Sequence, residues 1–230
     1  MKNIILTVIL FISTAIYASD FVPMDDFSSI AVYDGVVVNI ERSDVNEMKV
    51  SRTNLKDEDI DISITDGKLS VRVVHTARSG AQLMIHVKYN NLRNIEAYDK
   101  AEINTVKVHT GDSINLRFKT GSVGYIDLDV KHANISVSEG SLVVSEGYAI
   151  NQNISVITNG TFSGYKLEGE TATVKANTTA KAKIYITNEV DAKASTKGFI
   201  GYRGNPKFKS KKASMGGEVV PWEDDEDDRL

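Results

Sequence analysis

The sequence predicts an all-β fold: a β-solenoid with coils of about 19 residues, preceded by a less regular region of strands. Apolar and polar residues alternate along most of the chain after residue 20, for example at Val36, Val38 and Ile40, and this is the period of a β-strand. A short motif also recurs, because Asn134 to Val137 (NISV) is repeated 19 positions later at Asn153 to Val156. No stretch after residue 20 shows sustained helical spacing of apolar residues.

A 19-residue period is too short for a propeller blade or a βαβ unit, but it suits one coil of a solenoid that buries its inner side against its neighbours. We expect an N-terminal strand region over residues 19–92, continuous with the solenoid, and stacked coils over residues 93–220 whose equivalent strands pair in parallel. Asp66-Gly67 predicts a hairpin turn between two of the early strands. Small inward residues such as Ala172 and Ala176 indicate either a narrowing cross-section or compensation between large and small residues in adjacent layers.

The two ends of the chain differ from the body. Residues 1–18 predict a signal peptide, with Lys2 before the apolar run Ile4–Ile16 and small Ala18 at the cleavage point; an uncleaved N-terminal anchor is the alternative. Residues 221–230 form an acidic tail that we expect to be disordered. We therefore predict an exported protein, in the periplasm, associated with the outer membrane or outside the cell, without a transmembrane segment after signal cleavage.

Charge and composition exclude several classes of protein. The 230 residues include no cysteine, so the chain has no disulfide and no thiolate metal site. The formal net charge of −4 comes from the acidic tail, and residues 19–222 are formally neutral. A neutral body is not typical of a nucleic-acid-binding protein, which presents a concentrated basic face.

Scattered residues along the mature chain resemble the bacterial putative auto-transporter adhesin head domain family (head GIN domain). The most specific matching segment is Ile200 to Pro206, and Phe27, Ile30, Gly67 and Leu69 match near the start. The resemblance covers about residues 25–220. It implies a right-handed, parallel β-helix-like solenoid in an envelope protein, and it supplies no catalytic residue and no cofactor.

A series of tyrosines at near-solenoid spacing supplies the first candidate ligand-binding residues, Tyr125, Tyr148 and Tyr165. Exposed rings could stack on the faces of sugars, whereas a structural ladder of like residues on adjacent coils is the alternative. The neighbours of Tyr125 predict that its ring points outward, and those of Tyr165 and Tyr202 predict that their rings point inward.

Three alternating lysines supply the second candidate, because Lys207, Lys209 and Lys211 share one face of a final strand. They could bind an anionic polysaccharide or lipid headgroups, or they could protect the edge of the sheet from further pairing. The acidic run that begins at Glu223 is close enough in sequence to cover this face transiently.

Catalytic and metal-binding groups are not indicated. Asp127 and Asp129 share a strand face, but the next coil was expected to offer no acidic neighbour to them, and the four histidines are isolated from one another. The predicted function is a non-enzymatic envelope or surface protein that binds a glycan or another protein through a solenoid face in the manner of an adhesin. A carbohydrate-active lyase or hydrolase and a purely structural envelope protein are the alternatives, and the oligomeric state is left open.

Overall fold

The computed structural model describes residues 21–74 and 80–222, so the predicted signal peptide and the acidic residues from 223 onward lie outside the described residues. Within these ranges the chain is almost entirely β, with one 3-10 turn at Asp57–Asp59. The strands are β1 (Val22–Pro23), β2 (Ser29–Val32), β3 (Val37–Arg42), β4 (Glu47–Thr53), β5 (Ile60–Thr65), β6 (Lys68–Val73), β7 (Gln82–Tyr89), β8 (Asn94–Ala97), β9 (Glu102–Thr105), β10 (His109–Phe118), β11 (Val123–Val137), β12 (Leu142–Ile157), β13 (Thr161–Asn177), β14 (Lys181–Ser195), β15 (Phe199–Arg203), β16 (Phe208–Ala213) and β17 (Glu218–Pro221).

The strands from β8 onward stack as the coils of a β-solenoid of about 7 turns, which confirms the predicted fold. Every strand pair in this region is parallel, including β10 with β11, β11 with β12 and β12 with β13. The 19-residue repeat sets the register, since Asn115 pairs with Asn134 and Asn134 with Asn153. The N–H and C=O groups of each coil are therefore satisfied by the coils on either side.

The solenoid begins well before residue 93. Strands β2 and β3 pair in parallel with β8 and β9 on one side and with β6 and β7 on the other. The β6–β7 coil therefore forms the N-terminal end, although it follows β2 and β3 in the chain. Antiparallel β5 and β4 border β6 and β7, and the predicted hairpin at Asp66-Gly67 joins β5 to β6.

One column of apolar side chains runs through the centre of the stack. Its members occupy equivalent positions on successive coils and are at least 98% buried: Leu69, Ile30, Ile95, Leu116, Ile135, Ile154, Val174 and Ala192. Burial of a branched aliphatic side chain contributes roughly 1.5–3 kcal/mol. Because one coil leaves this side open, the stabilisation depends on the stacking of neighbours.

Large and small side chains compensate for each other inside the stack. A Cβ atom added to Gly124 would lie 2.5 Å from the ring of Phe118, and one added to Gly164 would lie 2.5 Å from the ring of Phe162. Each ring therefore fills the space that its glycine leaves free. Of the two alternatives for the small inward residues, compensation between large and small residues is the one observed at these positions.

A column of two-residue turns runs along one corner of the solenoid. Both turn residues have positive φ, as at Thr120-Gly121, Glu139-Gly140 and Thr178-Thr179. The turns also hydrogen-bond to one another, because Gly121 N–H donates to Glu139 O and Gly140 N–H donates to Thr158 O, at 2.9 and 3.2 Å. Positive φ is costly for residues with a Cβ, so the column favours glycine at these positions.

Replacing Gly140 by alanine should destabilise the protein by about 1 kcal/mol. Gly140 has a φ of +75°, and no atom lies within 4 Å of the position that its Cβ would occupy, so the cost comes from the backbone alone. Chemical denaturation measures the change in free energy of unfolding. Gly111→Ala is the matched control, since Gly111 lies in β10 without a positive φ and its added Cβ would meet only His109, at 3.8 Å. Equal effects of the two substitutions would contradict the account of the turns.

A buried polar pair lies within the N-terminal half of the core. Tyr89 and His109 are 1% and 2% exposed, and the Tyr89 hydroxyl forms a hydrogen bond of 2.8 Å with His109 Nδ1. Burial, assisted by the charge of Arg42, lowers the pKa of His109 from 6.5 to about 4. Burial also raises the pKa of Tyr89 to about 12, so both groups are neutral near pH 7.

The free energy of unfolding should fall as the pH decreases from 6.5 to about 4. In this window the unfolded chain protonates His109 and the folded chain does not, so the stabilisation present above pH 6.5 is lost, by about 3 kcal/mol. The double variant Tyr89→Phe/His109→Leu removes both polar groups and should flatten this part of the pH profile of stability. Substitution of exposed His132 by Gln should leave the profile unchanged, and a profile insensitive to the double variant would show that His109 is not responsible.

Candidate functional site

Aromatic and cationic side chains cover the outer surface of the later coils. We call this surface the aromatic face; its members lie on consecutive coils from β11 to the residue after β17 and are Tyr125, Tyr148, Tyr165, Lys166, Lys183, Tyr185, Arg203 and Trp222. The face contains the three tyrosines selected from the sequence. It also contains Tyr185, Lys183 and Trp222, which the sequence alone did not assign to it.

The tyrosines do not form one ladder, so the interpretation as a ladder of like residues is wrong. Tyr125 pairs with Val144, while Tyr148 lies between Asp129 and Glu168 on the neighbouring coils. The cause is an irregularity in β12 and β13, where the register shifts between Val144 and Glu146. An extra residue in one strand moves the following side chains to different columns.

The orientations of the rings agree with the sequence prediction at two positions of three. Tyr125 is 49% exposed and points outward, and Tyr202 is 5% exposed and points into the core. Tyr165 is half-buried at the surface, with its ring centroid 5.7 Å from Lys166 Nζ and 5.9 Å from the Arg203 guanidinium carbon. Its predicted inward orientation is wrong, because the register shift places Tyr165 and Lys166 consecutively on the outer surface.

Cations hold several rings of the aromatic face in place. The Arg203 guanidinium lies 4.5 Å from the centroid of Tyr185, and Lys183 Nζ lies 3.9 Å from that of Trp222. Trp222 also packs edge-on against Phe199 and donates its backbone N–H to Tyr202 O at 2.7 Å. Trp222 and Pro221, assigned to the tail from the sequence, therefore belong to the last coil.

A true tyrosine stack lies at the other end of the solenoid, and sequence reasoning missed it. Tyr33 and Tyr98 are parallel within 11° at a centroid distance of 5.0 Å, and the Arg72 guanidinium lies 4.6 Å from the centroid of Tyr33. Both tyrosines directly follow a buried strand and precede an aspartate. The pair escaped detection because 65 residues separate them in the sequence, a distance set by the inserted N-terminal strands.

Two carboxylates meet on the aromatic face. Asp127 pairs in register with Glu146, so the expectation that the next coil offers no acidic neighbour is wrong. Burial, and next the charge of Glu146, raise the pKa of Asp127, while Lys166 opposes this effect. Lys166 Nζ binds Glu146 at 2.9 Å. The residues 21–74 and 80–222 contain no group of three His, Asp or Glu side chains arranged to hold a metal ion.

The lysines selected from the sequence lie at the C-terminal end of the solenoid. Lys209 and Lys211 occupy the positions above buried Val190 and Ala192, so their aliphatic stems extend over the open end of the core. Lys211 Nζ lies 3.4 Å from the hydroxyl of Tyr202, and Lys209 donates to Asn205. Lys207 is exposed just before β16.

A polar groove of about 330 Å³ follows another corner of the solenoid. It is lined by amide, hydroxyl, imidazole and carboxylate groups of adjacent coils, among them His132, Asn134, Asn151, Asn153, Thr171, Thr173, Glu189 and Asp191. A ladder of amides leads to it, with Asn115 donating to Asn94, Asn134 to Asn115 and Asn153 to Asn134. Side chains of this kind pair with hydroxyl groups.

The fold and these surfaces define a β-solenoid that presents in-register rows of side chains on flat outer faces. The chain belongs to the family described as putative auto-transporter adhesin, head GIN domain, whose model matches residues 26–206. This confirms the resemblance seen in the sequence. No curated protein matches the sequence.

Solved structures share the fold at low sequence identity. A crystal structure of a putative adhesin from Bacteroides fragilis has a TM-score of 0.77 and 15% identity, covering 88% of this chain and 95% of its own. A putative adhesin from Parabacteroides merdae gives a TM-score of 0.70 and 19% identity, covering 89% and 95%. A putative lipid binding protein from Parabacteroides distasonis gives 0.70 and 13%, covering 89% and 96%.

In the part of the chain that the structure describes, no helix has the length and apolar character needed to cross a membrane.

Replacing Asp127 by Asn should raise the melting temperature at neutral pH by a few degrees. The raised pKa means that folding disfavours the ionised carboxylate, so stability is lost as the pH rises through the titration of Asp127. Near pH 3 both forms are neutral and the gain should vanish. Asp129→Asn is the control, because Asp129 is exposed and pairs with Tyr148 instead of an acid. A lower melting temperature for Asp127→Asn at neutral pH would contradict this electrostatic account.

Proposed function

We propose that the protein is a non-enzymatic, exported envelope or surface protein that binds a glycan through its aromatic face, in the manner of an adhesin. The observation that supports this most directly is the set of half-buried rings held by cations, with Arg203 against Tyr185 and Lys183 against Trp222. Rings held in one orientation lose little conformational entropy when a ligand binds. The faces of such rings suit the C–H faces of sugars, and nearby carboxylates and ammonium groups suit their hydroxyls.

The proposed location is the periplasm, the outer membrane surface or the cell exterior. The apolar run Ile4–Ile16 after Lys2 supports export. Membership of the adhesin head family supports a role at the envelope. A long, flat solenoid face is suited to binding an extended ligand over several coils.

A carbohydrate-active enzyme is the second candidate, favoured by the contact between Asp127 and Glu146. A hydrolase needs two carboxylates in distinct protonation states on either side of a bound substrate. Here both lie side by side on one open sheet face, and Lys166 pairs with Glu146 at 2.9 Å. This arrangement favours a structural ion pair over a catalytic pair.

The double variant Tyr148→Ala/Tyr185→Ala tests the proposed function. Glycan-array binding of the mature protein should weaken about tenfold or more, because each stacked ring contributes roughly 0.5–1.5 kcal/mol. The fluorescence of Trp222, the one tryptophan of the sequence, should also change when a glycan binds the unmodified protein. Tyr33→Ala/Tyr98→Ala is the matched control, since it removes two rings from the opposite end of the solenoid.

Three outcomes would count against glycan binding at the aromatic face. They are the absence of any glycan bound by the unmodified protein, equal binding by both double variants, and loss of binding only with the Tyr33/Tyr98 variant. Depolymerisation of pectin or alginate by the purified protein, abolished in Asp127→Asn, would establish the second candidate in its place.

A further inference from the structure

Three lysines line up on adjacent coils of a different face, and we call them the lysine row. Lys175 on β13 pairs with Lys193 on β14, which pairs with Lys212 on β16. All three side chains point outward, and Lys175 and Lys212 are exposed. Neighbouring strands lie about 4.8 Å apart, so the row presents one cationic position per coil along the solenoid axis.

This arrangement is unfavourable for the fold on its own. Like charges directly opposite each other on paired strands are destabilising. The earlier coils avoid the problem at the same positions, where Glu96 pairs with Arg117 and the next two coils place Ser136 and Ser155. Only the later coils repeat one sign of charge, so stacking does not explain the row.

Neutralisation of the lysine row within the protein is partial. Asp191 lies 2.9 Å from Lys193, and Ser210 and Lys212 also help to hold the pKa of this carboxyl below its usual range, after Lys193 itself. Among the residues described, Lys175 and Lys212 have no carboxylate within 4 Å. The row therefore retains positive charge that faces solvent.

Edge protection does not explain the lysine row either. Lys175 and Lys193 lie on β13 and β14, which pair with strands on both sides, so only Lys212 is on an edge strand. Lys209 and Lys211 differ, because they extend over the end of the core. The charge of the later coils points the same way, with eleven Lys and Arg against five Asp and Glu over residues 160–222, compared with fourteen against nineteen over residues 21–159.

The residues beside the row offer hydrogen bonds and no exposed large apolar side chain. Thr173 and Ser210 lie on one side, and Asn177 and Ser195 lie on the other. Hydroxyl and amide groups of this kind pair with sugar hydroxyls. A membrane surface would instead be expected to meet a broad basic patch with apolar side chains that enter the bilayer.

We propose that the lysine row binds a linear anionic polysaccharide that lies along the solenoid axis. Acidic groups of successive sugars contact Lys175, Lys193 and Lys212, and the flanking Thr, Ser and Asn side chains bind hydroxyl groups. The spacing of the coils is about the length of one pyranose unit, so one acidic group can meet each lysine. This site is separate from the aromatic face, and it stands or falls independently of glycan binding there.

Binding of the mature protein to polygalacturonate, with neutral dextran as the comparison polymer, tests the proposal. At low salt the triple variant Lys175→Gln/Lys193→Gln/Lys212→Gln should bind polygalacturonate about tenfold more weakly than the unmodified protein. Raising the salt concentration should weaken binding of the unmodified protein and have less effect on the variant. The melting temperature of the variant should not fall, since like-charge repulsion is removed together with the Asp191 pair. If the triple variant does not fold, the single substitution Lys175→Glu should give the same direction of change.

Two control variants remove the same amount of charge elsewhere. Lys49→Gln/Lys100→Gln/Lys119→Gln changes dispersed lysines of the earlier coils, and Lys207→Gln/Lys209→Gln/Lys211→Gln changes the C-terminal end. Both should bind polygalacturonate nearly as well as the unmodified protein. The proposal is overturned if the lysine-row variant binds as well as the controls, or if the unmodified protein binds no polygalacturonate at low salt. Preferential binding to vesicles of anionic lipid, without polysaccharide binding, would also overturn it.

Discussion

Each coil of this protein has an apolar inner side that only its two neighbouring coils can cover. The backbone pairing between coils places equivalent side chains above one another, so that Leu116, Ile135 and Ile154 form a continuous buried column. The same pairing satisfies the N–H and C=O groups of both coils. Hydrophobic burial and hydrogen bonding thus depend on one register, and stability resides in the contacts between coils more than within any one of them.

The register that stacks the core also writes the outer faces. A side chain that points outward on one coil has a neighbour about 4.8 Å away on the next, so a repeated residue becomes a row and an irregularity displaces a row. Asn115, Asn134 and Asn153 form a hydrogen-bonded ladder for this reason. The shift between Val144 and Glu146 instead separates the tyrosines into different columns and gives the aromatic face its mixture of rings and charges.

The sequence predicts the solenoid because alternation and a 19-residue repeat are local properties that the chain displays directly. Contacts that depend on exact register are harder to predict. Asp127 was assigned no acidic neighbour, yet it pairs with Glu146, since counting along the repeat overestimated the offset at that coil. The N-terminal order was also unpredictable, because β6 and β7 stack outside β2 and β3, and this depends on antiparallel β4 and β5 returning along the outside. The lysine row escaped attention because its members are too far apart in sequence for a local pattern to join them.

The in-register stacking of coils can be measured directly, because the chain contains no cysteine and pairs can be introduced freely. Ser136 and Ser155 are opposite each other on β11 and β12, both at the outer surface. Strand neighbours at about 4.8 Å meet the Cα distance that a disulfide requires, whereas diagonal positions lie about 7–8 Å apart. The account predicts rapid disulfide formation in Ser136→Cys/Ser155→Cys and little in the diagonal pair Asn134→Cys/Ser155→Cys. Preferential oxidation of the diagonal pair would contradict the 19-residue register on which the core and both proposed binding faces depend.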